Sequence, residues 1–139
     1  DINSKNAHQI ALNVKVLKWA NDWAQCQHSE LHVAFCIDIP KAMIELDIIS
    51  NDEVLVKKEK ETTEKIKTFL DEHDVTSNSI SVDAGNPRRV LPSLANSLKA
   101  DLVVLGSVGR KGVKDTLLGN TAEKVMSKLR TDLVVVHPD

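Results

Sequence analysis

The sequence predicts an α/β domain: a doubly wound parallel sheet with helices on both faces. Three observations carry this reading. Segments of helical and of strand patterning alternate along the whole chain. Most strand candidates are short, nearly continuous apolar runs, as expected for strands covered on two sides. Right-handed crossovers between such strands then place helices on both faces of the sheet. The 139 residues are one domain's worth of chain.

Ser4 to Gln27 has helical period, with Ala7, Ile10, Ala11, Val14, Leu17 and Ala24 on one side. Leu12, Val16, Trp19 and Trp23 fall nearly opposite. A helix apolar on two sides is expected to be sandwiched, one stripe on a sheet and the other on a neighbouring helix or domain. Trp19 and Trp23 read as packing rather than as a ligand platform. Leu31 to Ile37 is a short apolar run closed by Asp38-Ile39-Pro40 and reads as a buried strand. Residues 40–50 have apolar content but no clear period. Ser50 to Glu53 fits a capping box, which opens a long charged helix reaching about His73. Its thin apolar face is Val54, Leu55, Ile66, Phe69 and Leu70, so it is expected on the outside.

Ser79 to Ala84 alternates with period two, as a strand does. Gly85-Asn86-Pro87 then supplies a turn, a helix cap and a proline at the first helical position. Val90, Leu91, Leu94, Ala95 and Leu98 continue as an amphipathic helix, with Pro92 tolerated in its first turns. Asp101 to Gly106 is a third buried strand, and residues 107–118 form a loop containing Gly and Lys. Asn120 to Leu129 is a helix with Ala122, Val125, Met126 and Leu129 on one face, and Leu133 to Val136 is the last strand.

Composition excludes several classes. Formal charge is −2, from 18 Lys and Arg against 20 Asp and Glu, so binding nucleic acid through bulk charge is disfavoured. Aromatic residues are 3% of the chain, which leaves few stacking platforms for single strands. Two cysteines do not make a disulfide scaffold. No apolar stretch approaches the roughly 20 residues that cross a bilayer, and the first thirty residues lack a signal-type apolar block. A cytoplasmic protein without membrane or nucleic-acid partners is the expectation.

The most informative stretch is Gly106-x2-Gly109-x9-Gly119-Asn120-Thr121, which starts where the third strand ends and closes where a helix begins. Ligands of open α/β sheets bind beyond the carboxyl ends of the strands. Glycines there let backbone amides approach an anion, and a helix start adds donors and partial positive charge. Arg110, Lys111 and Lys114 lie in the intervening loop with Asp115 opposing them. The physical reading is an anion cradle suited to phosphate, weighed against a plain turn with solvated lysines. The pattern is neither a Walker A loop nor a Gly-x-Gly-x-x-Gly fingerprint, so P-loop hydrolysis and dinucleotide redox chemistry lose support.

These glycines resemble the nucleotide-binding signature of the universal stress protein family. The resemblance is strong over residues 85–139 and weaker before residue 80. Leu118 to Glu123 and the ending His137-Pro138-Asp139 look most like the second half of the family's tandem E type. The resemblance implies a Rossmann-like, five-stranded parallel sheet in strand order 3-2-1-4-5. Its first strand has no counterpart in residues 1–139, so the natural chain is expected to extend before Asp1, through that strand or through a whole preceding domain. It further implies an adenine nucleotide (ATP, ADP or AMP, with or without Mg) as ligand. Asp1 would then face the adenine or ribose, Cys36 would offer a backbone contact to adenine, and Leu105 and Gly106 would approach the ribose. Gly109, Arg110, Gly119, Asn120 and Thr121 would cradle the phosphates. The family's edge strand corresponds to Leu133–Val136, an expected pairing edge for a homodimer or a tandem sister domain.

The remaining chemistry-bearing residues form no pattern. Cys26 and Cys36 lack metal spacing and read as buried reduced thiols. His28 and His32 are separated by a helix-to-strand turn and so do not form a zinc pair. Asp71 to Asp74 reads as solvated surface, and Arg88 and Arg89 as exposed. Ser79, Ser81, Ser93 and Ser107 lack a neighbouring His-and-acid pattern. No nucleophile with its base stands out, which argues against turnover; the resemblance then implies a stress-response protein that binds nucleotide as a sensor or switch with little or no turnover. The alternative is a dimerisation or assembly module holding an apolar ligand or none. A true ATPase rests on fold analogy alone.

Overall fold

The computed structural model describes residues 2–39, 52–107 and 120–138, apart from the side chains of Asp52, Asn120 and Thr121. Among them the order is α1 (Ala7–Gln27), β1 (His32–Asp38), α2 (Asp52–Glu72), β2 (Ser79–Gly85), α3 (Pro87–Ser97), β3 (Leu102–Gly106), α4 (Asn120–Met126) and β4 (Asp132–Val136). The alternation matches the sequence reading element by element. The ambiguous residues 40–50 and the Ser50 cap lie outside the described residues.

Local chemistry sets the helix ends. Asn6 caps α1, its Oδ1 accepting from the His8 amide at 2.9 Å. The helix therefore starts later than the periodicity from Ser4 suggests, and Ser4 instead accepts from the Asn6 amide through Oγ. His28 closes α1 in the left-handed region at φ 51°. Asn86 caps α3 as its sequence predicts, accepting from the Arg88 amide at 3.0 Å with Pro87 next in line. Gly85 reaches this cap at φ +147°, a conformation open to glycine and strained for other residues. α4 is shorter than the predicted helix, since Ser127 and Lys128 already form its closing turn.

The strands pair in parallel, His32 opposite Ser79 through Asp38 opposite Gly85, and Leu102 opposite Asp132 through Gly106 opposite Val136. They form two separate two-stranded sheets, β1–β2 and β3–β4. The expected single sheet would need a strand joining them, and among the described residues neither β1 nor β3 has a second strand neighbour.

Helices hold the two pairs together. Leu17 of α1, Ile66 and Leu70 of α2 and Val75 form a core cluster, against which Val33, Phe35, Ile80 and Val82 pack. α3 packs on β1 and β2 without contributing to that cluster, which puts it on the opposite face, where it also meets α4. Leu12 and Val125 are the largest fully buried side chains.

Two amphipathic faces differ from their sequence reading. On α1 the buried residues are Leu12, Leu17 and Ala24, while Ile10 is 45% exposed. The buried face bisects the two apolar stripes and carries the half-buried Gln9 and Asn13, joined by a side-chain hydrogen bond of 3.2 Å. Trp19 and Trp23 stack on each other, with ring centroids 5.5 Å apart and planes 9° from parallel. On α2 the buried face is Thr62, Ile66 and Leu70, and Val54 is exposed. α2 packs on β2, and its charged residues lie outward as predicted.

Candidate functional site

The carboxyl ends of the strands carry the residues expected to meet a ligand. Leu105 and Gly106 end β3, and Cys36 lies near the end of β1. Leu105 and Gly106 are thus together, whereas Cys36 belongs to the other strand pair. Asp1, Gly109, Arg110 and Gly119 lie outside the described residues. Asn120 and Thr121 open α4, as predicted, and their side chains are not among those described.

Gly106 has two faces. A Cβ built on it would stand 3.0 Å from Leu12 Cγ, and 3.1 Å from both Leu12 Cδ2 and Val16 Cγ2. The missing side chain therefore lets α1 close onto β3. The residue itself remains exposed, so its backbone is open to a ligand. Next to it Ser107 is buried and donates its amide to Val136 O at 2.9 Å, which extends the β3–β4 ladder past Gly106. An exposed peptide with no side chain, at the end of a parallel strand, fits the close backbone approach that a ribose or phosphate requires.

Cys36 is half-buried and its thiol points at Gly85 O, 3.5 Å away. Burial, with a smaller contribution from the nearby Asp38 and Asp83 carboxylates, pushes this thiol up to about 11. Cys26 is exposed, so the expectation of two buried thiols fails for it, because the end of α1 faces solvent. At pH 8 about one Cys36 in a thousand is thiolate. Iodoacetamide is therefore expected to label Cys26 well before Cys36, with peptide mass spectrometry reading each site. Labelling of Cys36 should accelerate as pH approaches 11. Because its folded value lies above the ordinary value of 9.0, this thiol stabilises the fold fully below pH 9, and that contribution is lost as pH rises through 11. Equal labelling of both thiols at pH 8 would show that the Cys36 environment is not as described.

One side-chain cluster was missed by sequence reasoning. His32 Nδ1 lies 2.7 Å from Ser79 Oγ, and His32 Nε2 lies 3.0 Å from Glu30 Oε2. His32 and Ser79 open adjacent strands and stand opposite each other in the ladder. Their meeting follows from strand register, which sequence spacing does not encode. The cluster lies at the amino ends of the strands, away from Cys36 and Gly106, and Glu30 is 72% exposed. It ties the start of β1 to β2.

Arg88 and Arg89 are exposed, as predicted. Arg89 lines a shallow depression together with Glu59 and Asp83, two carboxylates that make it a poor place for an anion. Asp71, Glu72 and Asp74 are exposed, while His73 bonds back to Phe69 O at 2.8 Å. Among the described residues there is no group of three or more His, Cys, Asp or Glu placed to hold a metal ion. No described helix is long and apolar enough to cross a membrane.

Comparison with known proteins bears on this arrangement. The sequence profile of the Universal stress protein family matches residues 11–137. Universal stress protein E of Escherichia coli is 32% identical over an alignment of 146 positions, taking in 100% of this chain and 45% of that protein. A solved Pseudomonas aeruginosa structure described as a universal stress protein superposes with a TM-score of 0.74 at 26% identity, over 100% of this chain and 45% of that one. The chain thus spans about half the length of these two relatives. A universal stress protein crystallised in complex with cAMP superposes with a TM-score of 0.56 at 24% identity, over 91% of this chain and 87% of that one. Matched by the profile over most of its length and related to a family member over all of it, this α/β, Rossmann-like chain belongs to the universal stress protein family.

Proposed function

We propose that this stress-protein domain binds an adenine nucleotide (ATP, ADP or AMP, with or without Mg) at the carboxyl ends of β1 and β3, as a sensor or switch with little or no turnover. The observation that carries the reading is Gly106: an exposed glycine ending a parallel strand and beginning the Gly106-x2-Gly109-x9-Gly119 pattern that leads into α4. A protein of the same fold in complex with cAMP supports an adenine ligand. In this reading Leu105 and Gly106 meet the ribose, Cys36 offers its backbone to adenine, and Asp1 lies beside them. Gly109, Arg110, Gly119, Asn120 and Thr121 surround the phosphates. The finer fold is a five-stranded sheet in order 3-2-1-4-5, with β1 and β3 flanking one further strand. Half-length coverage of the relatives supports reading the domain as one of a tandem pair, and the same reading takes the protein as cytoplasmic. The outer edge of β4 (Asp132–Val136), unpaired among the described residues, supports pairing with a second copy or a sister domain.

Thermal melting with and without millimolar ATP tests the binding. A ligand at 100 times its Kd adds about 2.7 kcal/mol of stability, a rise of several degrees in Tm. An unchanged Tm, with no nucleotide released on acid denaturation of the freshly purified protein, would count against nucleotide binding and favour a purely structural module.

A further inference from the structure

The geometry points to a second site, at the amino ends of β1 and β2. There Ser79 is a nucleophile, His32 its general base and Glu30 the residue that positions the base, and the serine takes the acyl group of small activated donors, aryl esters and thioesters. The inference does not rest on nucleotide binding, whose candidate residues Cys36, Leu105 and Gly106 lie towards the carboxyl ends of their strands.

The three side chains form one line of contacts. Glu30 Oε2 lies 3.0 Å from His32 Nε2, and His32 Nδ1 lies 2.7 Å from Ser79 Oγ. A carboxylate only accepts, so Nε2 carries the proton and Nδ1 keeps a lone pair for the serine O–H. In this tautomer a histidine serves as base while the acid holds the ring from behind. Nδ1 rather than Nε2 faces the serine, which leaves the roles unchanged, because the bare nitrogen is the one that takes the proton. Such a constellation is recognised by geometry and roles, not by order along the chain.

Strand pairing fixes the arrangement. His32 and Ser79 are partners in the parallel register, so their side chains rise on the same face. Val33, Phe35, Ile80 and Val82 turn to the other face, onto the core cluster. One step earlier the strand ends are locked together. The Leu31 amide donates to Asn78 Oδ1 at 2.8 Å, and the Asn78 amide donates to Leu31 O at 2.7 Å. Nucleophile and base therefore stand on paired backbone. The His32 side chain is 25% exposed and Ser79 is half-buried, so a small reagent reaches the hydroxyl from solvent.

In the acylation step Ser79 Oγ forms a bond to the carbonyl carbon of the donor, and the hydroxyl proton passes to His32 Nδ1. The tetrahedral oxyanion collapses and the bond to the aryloxide or thiolate breaks. The leaving group departs with its electron pair, and Nδ1 passes the proton to it or to water. Water then repeats the sequence on the acyl-serine and releases a carboxylic acid. With its Oδ1 held by Leu31, Asn78 has Nδ2 as its remaining side-chain donor next to the nucleophile in sequence. One such donor and solvent stabilise an oxyanion less than a dry, pre-organised pair of amides does. That restricts the donors to those with good leaving groups.

The test treats the 139-residue chain with an alkyl fluorophosphonate, in which serine displaces fluoride from phosphorus, and reads each serine by peptide mass spectrometry. Ser97 and Ser127 are internal standards: both are exposed and both give their Oγ proton to a backbone carbonyl. Ser79, though less exposed, is expected to be labelled at least about a hundredfold faster than either, the scale of a general base. His32→Gln should bring it down to their level, and imidazole added to a His32→Ala chain should restore part of the rate. Glu30→Gln should slow labelling about two- to fivefold, the scale of an exposed ion pair, with Glu30→Asp recovering most of it. p-Nitrophenyl acetate should leave an acetyl group on the same serine. Labelling of the three serines in order of exposure overturns the assignment, as does a Ser79 rate that His32→Gln leaves unchanged. Either result reduces the cluster to a hydrogen-bonded tie between two strands.

Discussion

Leu12→Ala is expected to lower the unfolding free energy by about 3–5 kcal/mol, the range for truncating a fully enclosed leucine. Leu12 is 1% exposed and sits where α1 closes on the end of β3. Its removal deletes the apolar contact and leaves a cavity that Gly106, lacking a side chain, cannot fill. Ile10 is the control, being on the same helix and 45% exposed. Ile10→Ala is expected to cost less than about 1 kcal/mol. Urea unfolding of the two variants decides between the two faces. A large loss at Ile10 with a small one at Leu12 would mean that the sequence-derived stripe through Ala7, Ile10 and Ala11 is the buried one after all.

That comparison also shows what the sequence made legible. The strands and the Asn86 cap were readable because each depends on local chemistry: an apolar run, a capping side chain, a proline at the first helical position. Parallel pairing followed from alternation with helices. The face of α1 was not readable, because its buried sector runs through Gln9 and Asn13, whose polarity hides it from a periodicity argument. The His32–Ser79–Glu30 cluster depends on register between strands 47 residues apart in sequence, and the exposure of Cys26 depends on what lies beyond the end of α1. At the candidate site, Leu105 and Gly106 were placed correctly at a strand end, because the pattern marks that end. The contact of Gly106 with Leu12 and Val16 is tertiary and left no trace in the spacing.

Gly106 therefore has two claims on it, and a single substitution would not separate them. Gly106→Ala brings a methyl group to within 3.0–3.1 Å of Leu12 and Val16, and is expected to destabilise by about 1–3 kcal/mol through overpacking. The same change would thicken the backbone that the proposed nucleotide approaches. Combining it with Leu12→Ala distinguishes the roles, because that truncation relieves the contact with Leu12 on the α1 side and leaves the strand end itself unchanged. If packing is the conflict, the double variant should be more stable than the sum of the single losses implies, by a coupling of about 1–2 kcal/mol. If the nucleotide also packs against the 106 backbone, ATP affinity, measured by titration on the folded fraction, should stay weakened in the double variant, since the methyl group at position 106 is still present. Recovery of stability together with full ATP affinity would make Gly106 a packing glycine alone and shift the binding role to the later glycines. Loss of affinity that survives repair of the packing would place the nucleotide against β3.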